Sequence, residues 1–208
     1  MNLPQFFSHI GTQLGLNADV LMRFAEEDKI GGFNHDPNTR RWPMGSMWEV
    51  EGKALYALIR AMKPRAVLEI GTWVGCSATH ILEALAVNGK GRLVSIDTNG
   101  QSGDQIPLSL RKRWKLLEGR AEDVIPTVAL TDIDLVFEDG PHGLENTAAI
   151  LDAMRKHLAP SLIISHDGAH FLVGANIREA YRRTFGQPPE AILIEPSDCG
   201  FAYWVPQP

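Results

Sequence analysis

The stretch VLEIGTWVGCSATHILEAL, Val67 to Leu85, decides the fold. AVLEI, from Ala66 to Ile70, is a short apolar run bounded by turn residues, which reads as a strand buried on both faces of a parallel sheet. From Ser77 to Ala86 the pattern changes: Ile81, Leu82 and Leu85 fall on one helical face, and Asn88-Gly89 terminates the helix. Gly71 and Gly75 stand between the two. They let the backbone turn tightly and approach a ligand without an intervening Cβ, while the free N–H groups of the helix start aim at the same place. In an open parallel sheet ligands collect at the carboxyl ends of the strands, so the residue that closes each strand matters most.

Working outward, the same alternation of texture repeats. Leu55, Leu58, Ile59 and Met62 line one face of a preceding helix, which Pro64 stops. Downstream, RLVSI (Arg92 to Ile96) is a second strand. The loop TNGQSGDQIP from Thr98 and a short helix lead to a third strand, Lys115 to Glu118, and DLVFE (Asp134 to Glu138) is the fourth. Ile150, Leu151, Met154 and Leu158 mark a helix ending before Pro160, and SLIIS (Ser161 to Ser165) is the fifth strand. A helix from Ile177 to Phe185 leads to AILIE (Ala191 to Glu195) and GFAYWV (Gly200 to Val205). Only Pro196 to Cys199 separates the last two runs, too little chain for a helical crossover, so they pair antiparallel. The expected fold is α/β: a Rossmann-like, doubly wound, mostly parallel sheet with a C-terminal antiparallel hairpin. Residues 1–48, with Gly31-Gly32, Asp36-Pro37 and the cluster Trp42, Met44, Met47 and Trp48, are read as an extension. It covers the sheet edge, the mouth of the site or a subunit partner, and residues 49–208 form the main domain.

Composition narrows the function classes. A chain of 208 residues with 44% hydrophobic content can bury a substantial core and is expected to fold as one domain with an N-terminal extension, not as two compact domains. A net charge of -5 with one short basic run, RKRWK at Arg111 to Lys115, read as a solvated helix end, argues against general nucleic-acid binding. No apolar run reaches the roughly 18 residues of a membrane span, and MNLPQFFSHIG lacks the basic and apolar regions of a signal peptide. Cys76 and Cys199 share no metal or redox spacing and suit packing in a reducing compartment, so a cytoplasmic protein is expected.

Spacing discriminates among cofactors. A dinucleotide fold wants G-x-G-x-x-G and a P-loop wants a lysine after its last glycine; Glu69 followed by Gly71-x-x-x-Gly75 is neither. A carboxylate beside the loop suits a ligand with a cationic group. Asp97, closing the second strand, offers hydrogen-bond acceptors to ribose hydroxyls but fits either a nicotinamide or an adenosyl ligand. Taken with SID (Ser95 to Asp97), EGRAEDV (Glu118 to Val124) and the closing hairpin, the stretch resembles class I S-adenosylmethionine-dependent methyltransferases. Within them it is most similar to the small catechol-type O-methyltransferases and their relatives acting on sugars and natural products. The resemblance implies that Glu69, Gly71, Thr72 and Gly75 surround the methionine part of the cofactor and that Ser77 reaches its carboxylate. It also implies that Asp97 holds the ribose, that Gly119, Arg120 and Ala121 border the adenine, and that Asp139 lies beside the cofactor.

The fourth and fifth strands end in Glu138-Asp139-Gly140-Pro141-His142 and Ser165-His166-Asp167-Gly168-Ala169-His170. Neighbouring strands would bring Asp139 and Asp167 together, and a divalent cation relieves the repulsion of paired carboxylates. Relatives of the catechol type place such acids around a magnesium-like ion. Here His166 and Gly168 flank Asp167, leaving three alternatives. His166 joins Asp139 and Asp167 as a ligand and favours Mn, Fe or Zn; His166 stays off the metal and the ion is Mg; or no metal binds and the aspartates only position substrate or backbone. His142 occupies the place of the family's base and is the candidate to remove a proton from the acceptor hydroxyl. His170 is a candidate substrate contact; His35, His80 and His157 are read as structural or solvated. Glu138, adjacent to Asp139 on a strand, points to the opposite face and is assigned a supporting hydrogen bond. The expected activity is O-methylation of a small-molecule acceptor, without nucleic-acid or membrane partners and with the N-terminal segment as a candidate homo-oligomer contact. A catalytically silent adenosyl-binding scaffold and a nicotinamide oxidoreductase are the competing classes.

Overall fold

The computed structural model describes residues 1–32 and 42–206; His35 and Asp36-Pro37 lie outside them. The chain opens with two helices, α1 (Leu3–Leu14) and α2 (Ala18–Glu27), each capped by an asparagine: Asn2 accepts from Gln5 N and Asn17 from Asp19 N and Val20 N. Helix α3 (Glu49–Met62) leads to β1 (Ala66–Ile70), α4 (Cys76–Val87), β2 (Arg92–Asp97) and β3 (Trp114–Glu118). After the single turn α5 (Ala121–Val124) come β4 (Ile133–Glu138), α6 (Leu144–His157), β5 (Leu162–His166), α7 (Gly174–Phe185), β6 (Glu190–Ile192) and β7 (Phe201–Trp204). The strands form one sheet in the order β3-β2-β1-β4-β5-β7-β6, parallel from β3 to β5 and antiparallel at β7 and β6. That is the doubly wound sheet with a C-terminal hairpin that the sequence predicts. The order reverses between β2-β1 and β4, which opens a crevice above the carboxyl ends of β1 and β4.

Period-two alternation sorts the strand side chains into two cores. Val67, Leu135, Phe137, Ile164 and Phe201 face α1 to α4, whereas Leu68, Val136, Ile163 and Ala202 face α5 to α7. The same alternation puts Glu138 with Val136 and turns Asp139 toward the other side. The N-terminal helices belong to the first core: Phe6, Phe7, Ile10 and Leu21 are fully buried, with Phe6 and Phe201 ring centroids 6.1 Å apart. Trp42 and Met47 join that core too, while Met44 is exposed.

Two local expectations change. The run Ala191 to Glu195 pairs only as far as Ile192, because β7 offers three partners to β6. The next backbone groups turn to the chain start instead: the Met1 ammonium donates to Leu193 O, and Glu195 N donates to Met1 O. The basic run at Arg111 is not merely solvated. Arg111 donates to the carbonyls of Ile106, Gly103 and Asp104, and Arg113 to Gly91 O, so these guanidinium groups pin the long β2–β3 loop. Among the described residues no helix is long and apolar enough to cross a membrane. Truncating a buried ring leaves a cavity the fold cannot fully close, so Phe6→Ala is expected to cost about 3–5 kcal/mol in urea denaturation.

Candidate active site

The glycine turn after β1 is built for close approach. Gly71 has φ 82° and its N–H donates to Ile96 O; a Cβ there would lie 2.1 Å from the carbonyl oxygen of Asp139. Gly75, φ 96°, caps α4, and a Cβ on it would meet Ile106 at 2.5 Å. Asp97 latches the turn: its Oδ2 accepts from Thr72 N (2.8 Å) and Trp73 N (3.1 Å), and its Oδ1 from Asn99 N (3.0 Å). Burial alone would raise the Asp97 pKa, but the N–H donors of Asn99, Thr72 and Trp73 hold it below its usual value, so the carboxylate is ionised.

Two cavities flank this turn. One, of about 270 Å³, is bounded by Thr72, Ser77 and Asp139 together with Gly45, Ser46 and Met47. The other, about 230 Å³, is bounded by Gly119, Arg120, Ala121 and the α6 side chains Asn146 and Ile150. Both are bordered by Gly71 and Asp97, so the two cavities adjoin at the glycine turn. This juxtaposition suits an adenosyl ligand with an amino-acid tail. Ser46 Oγ, on the wall of the first lobe, is buried without a hydrogen-bond partner among the described residues. Arg120 contributes to the second lobe, but its guanidinium turns onto Glu122, with Nε 2.8 Å from Oε1.

Glu69 lies beneath the cleft, not on its wall. Its carboxylate is fully buried and accepts from Ser77 Oγ (2.6 Å), Ser95 Oγ (2.6 Å) and Thr72 Oγ1 (3.0 Å). It reaches the ligand space only through the hydroxyls of Thr72 and Ser77, which it orients. Burial raises its pKa to about 7 against the opposing pull of the three hydroxyls. Ser95 entered the sequence reading only as part of the SID motif; its place opposite Glu69 in the β1–β2 register reveals this role.

At the other end of the cleft, β4 and β5 deliver the predicted acids and imidazoles to one place. His142 Nε2 stands 3.6 Å from Asp139 Oδ1 and 3.4 Å from Asp167 Oδ2; His166 Nδ1 stands 3.3 Å and 3.6 Å from the same two oxygens. Asp139, His142 and Asp167 each offer a ligand atom within 4.8 Å of the others. Burial alone would raise the Asp139 carboxyl, but the facing imidazoles hold it well below the usual range. The carboxylates raise His142 in turn, with Asp139 the larger influence, against burial that favours the neutral ring. His142 Nε2 is nonetheless buried with no hydrogen-bond partner of acceptable geometry among the described residues. His170 stays outside this cluster: its Nδ1 accepts from Leu172 N, and its ring lies 4.8 Å from that of Phe171. Glu138 points to the other face, where Oε1 accepts from Gly140 N at 3.1 Å.

Sequence reasoning missed Glu51. This residue of α3 is fully buried and accepts from His166 Nε2 (2.9 Å), Ser197 Oγ (2.6 Å), Gly200 N (2.7 Å) and Trp48 N (3.2 Å). Its position three residues after the helix cap reads as an ordinary capping-box acid, and the separation of 115 residues from His166 hides the rest. His80, read as structural, is buried and faces Asp28 at 3.2 Å.

Known proteins resemble this chain in sequence and in fold. Residues 68–168 match the family model described as a methyltransferase domain. A catechol O-methyltransferase of Mycobacterium tuberculosis (strain ATCC 25618 / H37Rv) is 32% identical over 106 residues, 49% of this chain and 46% of the relative, so the match spans about half of that protein. Among solved structures, the SAH-bound Podospora anserina methyltransferase PaMTH1 is 18% identical, covering 89% of this chain and 93% of its own, with a TM-score of 0.61. The Bacillus cereus O-methyltransferase in complex with SAH is 18% identical, covering 96% and 94%, with a TM-score of 0.57. The domain match covers just under half of the chain, and these solved structures share its fold.

Two measurements probe the cofactor end. Gly71→Ala puts a Cβ against Asp139 O in a left-handed conformation, and calorimetry is expected to show S-adenosylhomocysteine affinity lowered by about tenfold or more. Glu69 has a folded pKa above its unfolded value, so its protonated form favours folding. That contribution is complete below about pH 4.5 and is lost as pH rises to about 7. Glu69→Gln escapes the loss, so its stability relative to wild type is expected to climb across that window by up to about 3 kcal/mol in urea titrations.

Proposed function

We propose that the protein transfers the S-methyl group of S-adenosylmethionine to a hydroxyl of a small molecule, with His142 accepting the hydroxyl proton. The supporting observation is the place of His142, three residues beyond Asp139 at the strand end, with Nε2 3.6 Å from Asp139 Oδ1 and 3.4 Å from Asp167 Oδ2, while Asp139 itself borders the cavity at the glycine turn. The catechol O-methyltransferase relative supports a hydroxyl as the acceptor.

Bound S-adenosylmethionine supplies an electrophilic methyl group on a sulfonium. The chain supplies alignment: the glycine turn and Asp97 hold the adenosyl part, and the hydroxyls of Thr72 and Ser77, set by Glu69, bound the tail. Holding the acceptor oxygen in line with the methyl carbon turns an encounter into a unimolecular step. The oxygen–carbon bond forms as the sulfur–carbon bond breaks, and the hydroxyl proton passes to His142 Nε2. A divalent cation fits Asp139, Asp167 and His166 Nδ1 and would lower the pKa of a bound hydroxyl.

A second reading, metal-independent methylation, is favoured by one observation: the two imidazoles already stand between the two carboxylates and offset their charge. Exhaustive chelation followed by assay separates the readings, since full activity without metal supports the second. In either, incubation with radiolabelled S-adenosylmethionine and a panel of hydroxyl compounds is expected to label an acceptor at its oxygen. His142→Gln is expected to lower turnover by about 10²–10⁴-fold while S-adenosylhomocysteine affinity is retained. Labelled product formed at the wild-type rate by that variant rules out His142 as the base.

A further inference from the structure

We propose that Glu51 is a positioning residue that turns His166 into a metal-facing ligand. The strand ends then form a mixed nitrogen-and-carboxylate site that selects a transition-metal ion, such as Mn(II), Co(II) or Zn(II), over magnesium. The inference deepens the cation reading above and rests on it.

The starting point is the His166 ring. Nε2 lies 2.9 Å from Glu51 Oε2, a hydrogen-bond distance between two buried groups, so this nitrogen carries the proton it donates. The other nitrogen is thereby directed at the reacting edge, where Nδ1 stands 3.3 Å from Asp139 Oδ1 and 3.6 Å from Asp167 Oδ2. Donor atoms each about 2.1 Å from a shared ion lie about 3.0–3.4 Å from one another, and the two His166 distances are within a few tenths of an ångström of that range. His142 Nε2, 3.4 Å from Asp167 Oδ2, borders the same space.

Glu51 itself has little freedom. Trp48 N, Gly200 N and Ser197 Oγ all donate to its carboxylate, and the rings of Phe137 and Phe201 flank His166 with centroids 6.3 Å and 6.2 Å away. A carboxylate that receives the second N–H of a histidine fixes the tautomer, fixes the ring and makes the facing nitrogen a better ligand. Imidazole nitrogen in place of an oxygen donor then shifts preference away from magnesium, which demands oxygen ligands and sheds water reluctantly. The rival arrangement is a metal-free relay in which the ring donates to Glu51 and Asp139 at once.

Metal-stripped full-length protein, titrated calorimetrically with Mn(II), Zn(II) and Mg(II), tests this without any acceptor or turnover. A missing activity and a missing metal site are therefore told apart. Mn(II) and Zn(II) are expected to bind at least about tenfold more tightly than Mg(II), and Glu51→Gln to lower their affinity by about 10–100-fold with S-adenosylhomocysteine affinity retained. If Glu51→Gln does not fold, the wild-type protein serves: in ¹⁵N spectra Zn(II) is expected to shift the His166 Nδ1 resonance while Nε2 keeps its proton. Equal affinity for Mn(II) and Mg(II), absence of binding, unchanged affinity in folded Glu51→Gln, or an unmoved Nδ1 resonance overturns the proposal.

Discussion

A single backbone contact organises the site: Gly71 packs so closely on Asp139 that even a methyl group is excluded, while Asp139 N donates to Ile70 O at 2.8 Å. This contact joins the carboxyl ends of β1 and β4 where the strand order reverses. On one side of it the turn runs into α4 and the cofactor cleft. On the other, Asp139 emerges toward the acids and imidazoles of the reacting edge. The glycine turn and the Asp139 cluster sit side by side across this contact, which a side chain at position 71 would block.

Buried charge is handled differently on the two sides. Under the cofactor loop a single carboxylate, Glu69, is surrounded by neutral hydroxyls, and its proton affinity rises to near neutrality. At the reacting edge the carboxylates of Glu51, Asp139 and Asp167 face two imidazoles, so charge is compensated by charge and Asp139 stays ionised. Desolvation prevails at Glu69, whose partners are three neutral hydroxyls, and is overcome at Asp139, whose imidazole partners can carry charge. Glu69 is thus suited to holding a loop, and the Asp139 cluster to holding a cation or moving a proton.

Much of this was legible in the primary structure, for identifiable reasons. Strands such as Ala66–Ile70 show as apolar runs closed by turn residues, and the four residues between the last two runs exclude any crossover. Asp139, His142, His166 and Asp167 were legible because each closes a strand or follows one closely. The end of β6 was not, since nothing local to Leu193 says that its carbonyl goes to the chain terminus. The arginines of the β2–β3 loop looked solvated because their acceptors are backbone carbonyls, which any sequence possesses.

By itself the sequence determined the order of elements, the glycine turn and the acids at the strand ends, because hydrophobic period, turn chemistry and short connections are local properties of a chain. Tertiary structure alone decided which side chains meet. It placed Glu69 under the loop, gave Phe6 and Phe7 to the core, and brought Glu51 from α3 to His166 across 115 positions. A partner chosen by folding leaves no spacing to read, because what holds it is distance in space and the cost of burying a charge alone.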